Sequence, residues 1–174
     1  MRITLELETD DVARFHDALR RAERLAREMD ECDVVDAAKQ ALDTLPISNA
    51  PGFVRKRLCE VQRLIVMLED EAWALRGPER MDVLRALVYF SDPEDLIPDN
   101  IAVIGLIDDA IMLELLLRRL KHVLEAYTDF CEWRTANANG EDDRIAQAGA
   151  LARKRTQLHE RMHRRKKRLA VSKP

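Results

Sequence analysis

Between Ser91 and Asp109 the chain is punctuated more tightly than anywhere else, and this elbow restricts the possible folds more than any other stretch. Apolar residues before it (Leu87 to Phe90) and after it (Ile107, then Ala110 to Leu117 around Glu114) belong to helical segments, so the elbow must turn one helix into another. Its chemistry is that of helix ends. Ser91 or Asp92, followed by Pro93, Glu94 and Asp95, supplies an oxygen for orphan amides, a proline at the first helical position and carboxylates in the first turn. Ser91 with Glu94 fits a capping box. Pro98 stops that short turn, because it disfavours helix at Ile97 and offers no amide hydrogen; Asp99 restarts the chain. Gly105 allows a bend or a close approach, and Asp108 and Asp109 sit near the start of a long apolar helix, where the dipole favours negative charge. Asp95, Asp99, Asp108 and Asp109 each have such a structural role open to them. A fold that gathered them would also offer hard oxygen ligands to a divalent cation, though no EF-hand loop is present.

The string Asp95-Leu-Ile-Pro-Asp99, followed by Gly105 and then Asp108-Asp109, resembles the YkvA-like bacterial domain of unknown function over about residues 83 to 120. The chain departs from that family's pattern at Glu94 for an apolar residue, Asn100 for Phe and Ala102 for a second Pro, which makes the elbow more polar. The resemblance implies peripheral membrane association as one expectation. It brings no activity and no catalytic residue.

Hydrophobic residues at 47% beside charged residues at 35%, with only five Gly and six Pro, point to an all-helical protein. A length of 174 residues allows one ordinary core with an appended segment. The expected division is 1–76 for an N-terminal strand and helices, 77–138 for a YkvA-like helical core continuous with them, and 139–174 for a basic helical tail. Cys32, Cys59 and Cys131 follow no metal or redox spacing and read as small buried hydrophobes in a reducing compartment. No positively charged leader with an apolar run opens the chain, so the cytoplasm is the expected location. Ile101 to Leu117 is the most apolar stretch, yet Asp108, Asp109 and Glu114 interrupt it, and no transmembrane span is expected.

Arg2 to Glu8 alternates, with Ile3, Leu5 and Leu7 on one face, which is a strand signal in a chain that otherwise has none. A lone strand must satisfy its backbone elsewhere, and pairing with its own copy would make a homodimer. Strand followed by two helices is similar to the ribbon-helix-helix DNA-binding module, but Glu6 and Glu8 on the outward face suit phosphate poorly. Thr9-Asp10-Asp11 caps a helix with Val12, Phe15, Leu19, Ala22, Ala26 and Met29 inward. Asp33 caps the next, which Pro46 ends, and a third helix runs from Phe53 to about Leu75, before Arg76-Gly77-Pro78. Trp73, Tyr89 and Phe90 read as core. The helix from Ile107 is apolar nearly all round in its first half and is expected to lie centrally.

The formal charge of −3 conceals an asymmetry: residues 153–174 hold ten Lys or Arg and one Glu, leaving −12 on the residues before them. The run Arg161, Arg164, Arg165, Lys166, Lys167 and Arg168 is the candidate site for an anionic partner, whether protein, nucleic acid or lipid surface. Without interleaved aromatics any nucleic-acid binding would be poorly sequence-specific. His159-Glu160-Arg161-Met162-His163 matches the zinc-protease H-E-x-x-H pattern, but Arg161, Arg164 and Arg165 would repel the metal and no third ligand follows.

The expected protein is an all-α helical bundle with one short N-terminal β-strand and an extended basic C-terminal helix. Its expected role is a non-catalytic interaction or scaffold protein with no cofactor. The alternatives are a metal-dependent enzyme using a divalent cation at the elbow, and a peripheral membrane-associated protein.

Overall fold

The computed structural model describes residues 9–45, 51–92, 104–137 and 144–171. Six helices follow in order: α1 (Thr9–Glu28), α2 (Glu31–Thr44), α3 (Gly52–Glu69), α4 (Gly77–Ser91), α5 (Ile104–Ala136) and α6 (Arg144–Val171). No strand occurs among the described residues, and the strand expected at Arg2 to Glu8 lies outside them.

The helix ends follow local chemistry, with some shifts. Asp30, rather than Asp33, takes the N-cap position of α2 in extended conformation, leaving Glu31 and Asp33 in the first turn. Leu45 at the other end is extended, as a residue before proline must be. Ser91 does not start a new helix. It is the last residue of α4, and its hydroxyl donates back to the carbonyl of Leu87 at 2.9 Å; Glu94, its expected capping-box partner, lies outside the described residues.

The third helix stops six residues earlier than its apolar spacing predicts. Asp70 accepts hydrogen bonds from the amides of Ala72 and Trp73 at 3.0 and 3.2 Å, an Asx-type arrangement that competes with helix continuation. Ala74 then adopts φ 46° and Gly77 φ 70°, which reverses the chain. Leu75 and Trp73 are thereby buried from a turn rather than from a helix face. Arg80 holds the same turn from α4, donating to the Leu75 carbonyl at 2.9 Å and pairing with Glu31 of α2.

The short α4, not the long α5, is the central element. It packs against α1, α2, α3 and α5, and Val83, Leu84, Ala86, Leu87 and Val88 are buried in nearly unbroken succession. Five buried apolar residues within six positions leave no face for water, which is the physical reason for its place. α5 lies between α3 and α6, and its buried residues run from Leu113 to Phe130. One apolar cluster joins α1 (Ala22, Ala26) through α4 to α6 (Leu158, Met162). Val54 and Leu58 form a smaller cluster beside Phe90.

Two expectations about packing are corrected. Cys32 and Cys59 are exposed free thiols, and Cys131 is partly covered, because the first two fall on the outward sides of α2 and α3. Met29 is 39% exposed, since α1 ends one residue before it and the chain turns away.

Candidate functional site

The least ordinary chemistry in the described residues lies where α6 crosses α4 and α5. Glu79 occupies the first turn of α4, where the helix dipole favours a carboxylate, yet it is wholly buried. One oxygen, Oε1, bonds His163 Nδ1 of α6 at 2.8 Å; the other, Oε2, is buried without a hydrogen-bond partner among the described residues. His122 of α5 is only 6% exposed, and neither of its ring nitrogens has a hydrogen-bond partner there. His159 of α6 stands edge-on to Trp73, ring centroids 4.3 Å apart, with Nε2 buried and unpartnered. Trp73 also packs on Tyr127 and Phe130. Three of the chain's four histidines therefore meet one buried carboxylate at a single seam.

The surroundings of the seam favour the neutral form of two of these rings. Burial lowers the His122 pKa from its ordinary value, and Glu79 only partly offsets this. Burial also lowers that of His159, and the neighbouring Arg155 and His163 add to the lowering. At the seam's margins Arg161 pairs with Asp129, Arg165 with Glu125, and Lys166 with Asp82, while Arg155 donates to the Ala72 carbonyl at 3.3 Å. A tail rich in cations is thus docked on an acidic body through its inner side.

The six cations expected to meet an anionic partner consequently divide. Arg161, Arg165 and Lys166 are engaged by the body. Arg164 is 64% exposed beside Glu160 of its own helix at 3.6 Å. Lys167 and Arg168 are exposed and make no ion pair among the described residues. Arg153, about three turns before Arg164 and also exposed, joins them on the outward side.

The H-E-x-x-H string does not act as a unit. His163 turns to Glu79 and His159 to Trp73, whereas Glu160 faces out to Arg164. No group of three or more His, Cys, Asp or Glu arranged to hold a metal occurs among the described residues. Asp95 and Asp99 lie outside the described residues; Asp108 and Asp109 fall on α5, with side chains outside the description. No helix among the described residues is long and apolar enough to cross a membrane.

Glu79 and His122 were not legible as site residues. Glu79 follows Gly77-Pro78 and has the pattern of an ordinary first-turn acid, and His122 is buried through packing with α4 and α6, which no local pattern on α5 announces. A second polar centre, also missed, is Asp70: besides the turn amides it accepts from Arg134 at 2.9 Å and from the Tyr127 hydroxyl at 3.0 Å. It ties the α3–α4 turn to α5.

Fold and site together define an all-helical bundle with a carboxylate–histidine cluster beneath its last helix. Residues 83–115, covering most of α4, the elbow and the start of α5, match the family model described as a protein of unknown function, DUF1232. YkvA-like proteins are the usual members of that family, and the match is to this segment only. No curated protein and no solved structure matches the chain.

Proposed function

We propose that this is a non-catalytic interaction protein whose basic C-terminal helix contacts an anionic partner. The observation that supports the reading is the division of charge on α6. Its inner cations are matched by Asp82, Glu125 and Asp129, while Arg153, Arg164, Lys167 and Arg168 face outward with Glu160 as the one acid among them. A helix C-terminus gains from one or two cations, so four on the outward side exceed what its dipole requires. The apolar residues Leu158 and Met162 are buried against the body, which leaves charge as the means of recognition while α6 is docked.

The test is binding of a short DNA duplex and, separately, of vesicles containing phosphatidylserine, by wild type and by an Arg164→Ala, Lys167→Ala, Arg168→Ala variant. Circular dichroism should be unchanged, because these side chains are exposed and form no ion pair with the body among the described residues. The variant should lose affinity, and the slope of log affinity against log salt for the duplex should shrink by about two to three. The two probes separate phosphate polymer from lipid surface. Equal binding by variant and wild type to both would refute the proposal.

A further inference from the structure

The seam under α6 is an unusual way to fasten a helix. Among the described residues of α6 only Leu158 and Met162 are fully buried in it, with Leu151 partly buried against the core. The rest of the closure is polar, with three ion pairs at the margins, His122, His159 and Glu79 inside and the half-exposed His163 at the edge. Five buried polar atoms there, Glu79 Oε2, both ring nitrogens of His122, Nε2 of His159 and Nε1 of Trp73, have no side-chain hydrogen-bond partner among the described residues. The three imidazole nitrogens are tolerable only while their rings stay uncharged, since a buried charge without a partner costs far more than a buried neutral ring.

We infer that α6 is an acid-released arm: protonation of His122 and His159 detaches it from α4 and α5 and adds Arg161, Arg165 and Lys166 to the cations offered to an anionic partner. This rests on the interaction role proposed above and supplies its regulation. The groups facing the two histidines are accounted for element by element. From α4 come Glu79 and Asp82; from α5, the backbone at Arg119, with Glu125 and Asp129 at the margins of the seam occupied by Arg165 and Arg161; from the α3–α4 turn, the backbone at Trp73; from α6, Arg155, His163 and Lys166. Glu79 attracts a proton to either ring, but one of its oxygens already serves His163, and Asp82 already serves Lys166. Arg155 and Lys166 oppose the charge. Protonated His163 would strengthen its bond to Glu79 and work against release; its side chain is 45% exposed, so this contact is open to water.

The sign follows from linkage. His122 and His159 bind protons less readily when docked than when free, so docking is favoured above the free value of about 6.5 and weakens as pH falls through it.

Hydrogen exchange read by mass spectrometry on the full chain, at about pH 7.5 and about pH 5.5 and corrected for intrinsic rates, tests this. Peptides within 152–168 should lose protection about tenfold in acid, while peptides of α3 within 54–68 keep theirs. A His122→Leu, His159→Phe variant, which preserves apolar volume and a ring against Trp73, should stay protected at both pH values. Unchanged protection of α6 in wild type overturns the inference, as does acid release that is the same in the variant, or loss that strikes α3 equally. Should the variant fail to fold, the wild-type contrast between α6 and α3 decides alone. Duplex binding is followed in parallel. Release without stronger binding sinks the partner reading and leaves the switch; binding through Arg164, Lys167 and Arg168 with no acid release does the reverse.

Discussion

Asp70 serves more partners than any other single side chain described. It satisfies two turn amides, a guanidinium and a phenol, so its removal strands several polar groups at once. Asp70→Ala should lower stability by about 2–3 kcal/mol in urea denaturation, against under about 1 kcal/mol for an exposed pair such as Arg27 with Glu23. Its neighbour Tyr127 gives a pH signature. Burial, followed by hydrogen bonds involving Cys131 and Asp70, raises its pKa above the ordinary value near 10. The neutral phenol is thus favoured by folding, and that stabilisation is present below about pH 10 and lost as the pH climbs above it. In an ultraviolet titration of the phenolate, Tyr127→Phe should remove the later-ionising tyrosine, and the variant should lose less stability than wild type between neutral and alkaline pH. None of this was visible in the sequence, where Asp70 is one acid among many after an apolar helix. Trp73 as core was visible, since a lone large aromatic between Ala72 and Leu75 has few other places to go.

At the scale of elements, the turn after α3 decides where α4 begins. Ala74 holds φ 46°, a conformation that costs a residue with a Cβ about 1 kcal/mol or more. Ala74→Gly should therefore be neutral or raise stability by up to about 1 kcal/mol in thermal unfolding, whereas Ala74→Val should destabilise. The gain is partly cancelled because glycine loosens the unfolded chain. Helix type and order, the end of α2 before Pro46 and the start of α4 at Gly77-Pro78 were legible from spacing and punctuation, because those signals act within a few residues. The early end of α3 was not, since it depends on an aspartate side chain outbidding the next helical hydrogen bond. α6 teaches a related lesson. Removing residues 153–174 would strip Leu158 and Met162 from the core as well as the cations, so truncation confounds folding with binding and the outward-face substitutions are the cleaner probe.

For the whole molecule, the open prediction concerns assembly. The alternation at Ile3, Leu5 and Leu7 is a sequence signal whose expected consequence is pairing between two copies, and native mass spectrometry should then give a doubled mass for wild type that Leu5→Lys returns to the single chain. A single mass for wild type would end the strand-pairing idea. The sequence by itself determined that the chain is helical, where most helices start and stop, that its body is acidic and its end basic, and that the segment around the elbow resembles the YkvA-like family. These depend on local periodicity, backbone chemistry and the sign of side chains, all carried within a short window. Only the tertiary structure decided that α4 is central, that half of the basic run is engaged by Asp82, Glu125 and Asp129, and that three histidines share a seam with Glu79. Those facts join residues up to 84 positions apart. Which of many acids faces which of many cations is fixed by how helices cross, and no local pattern encodes that crossing.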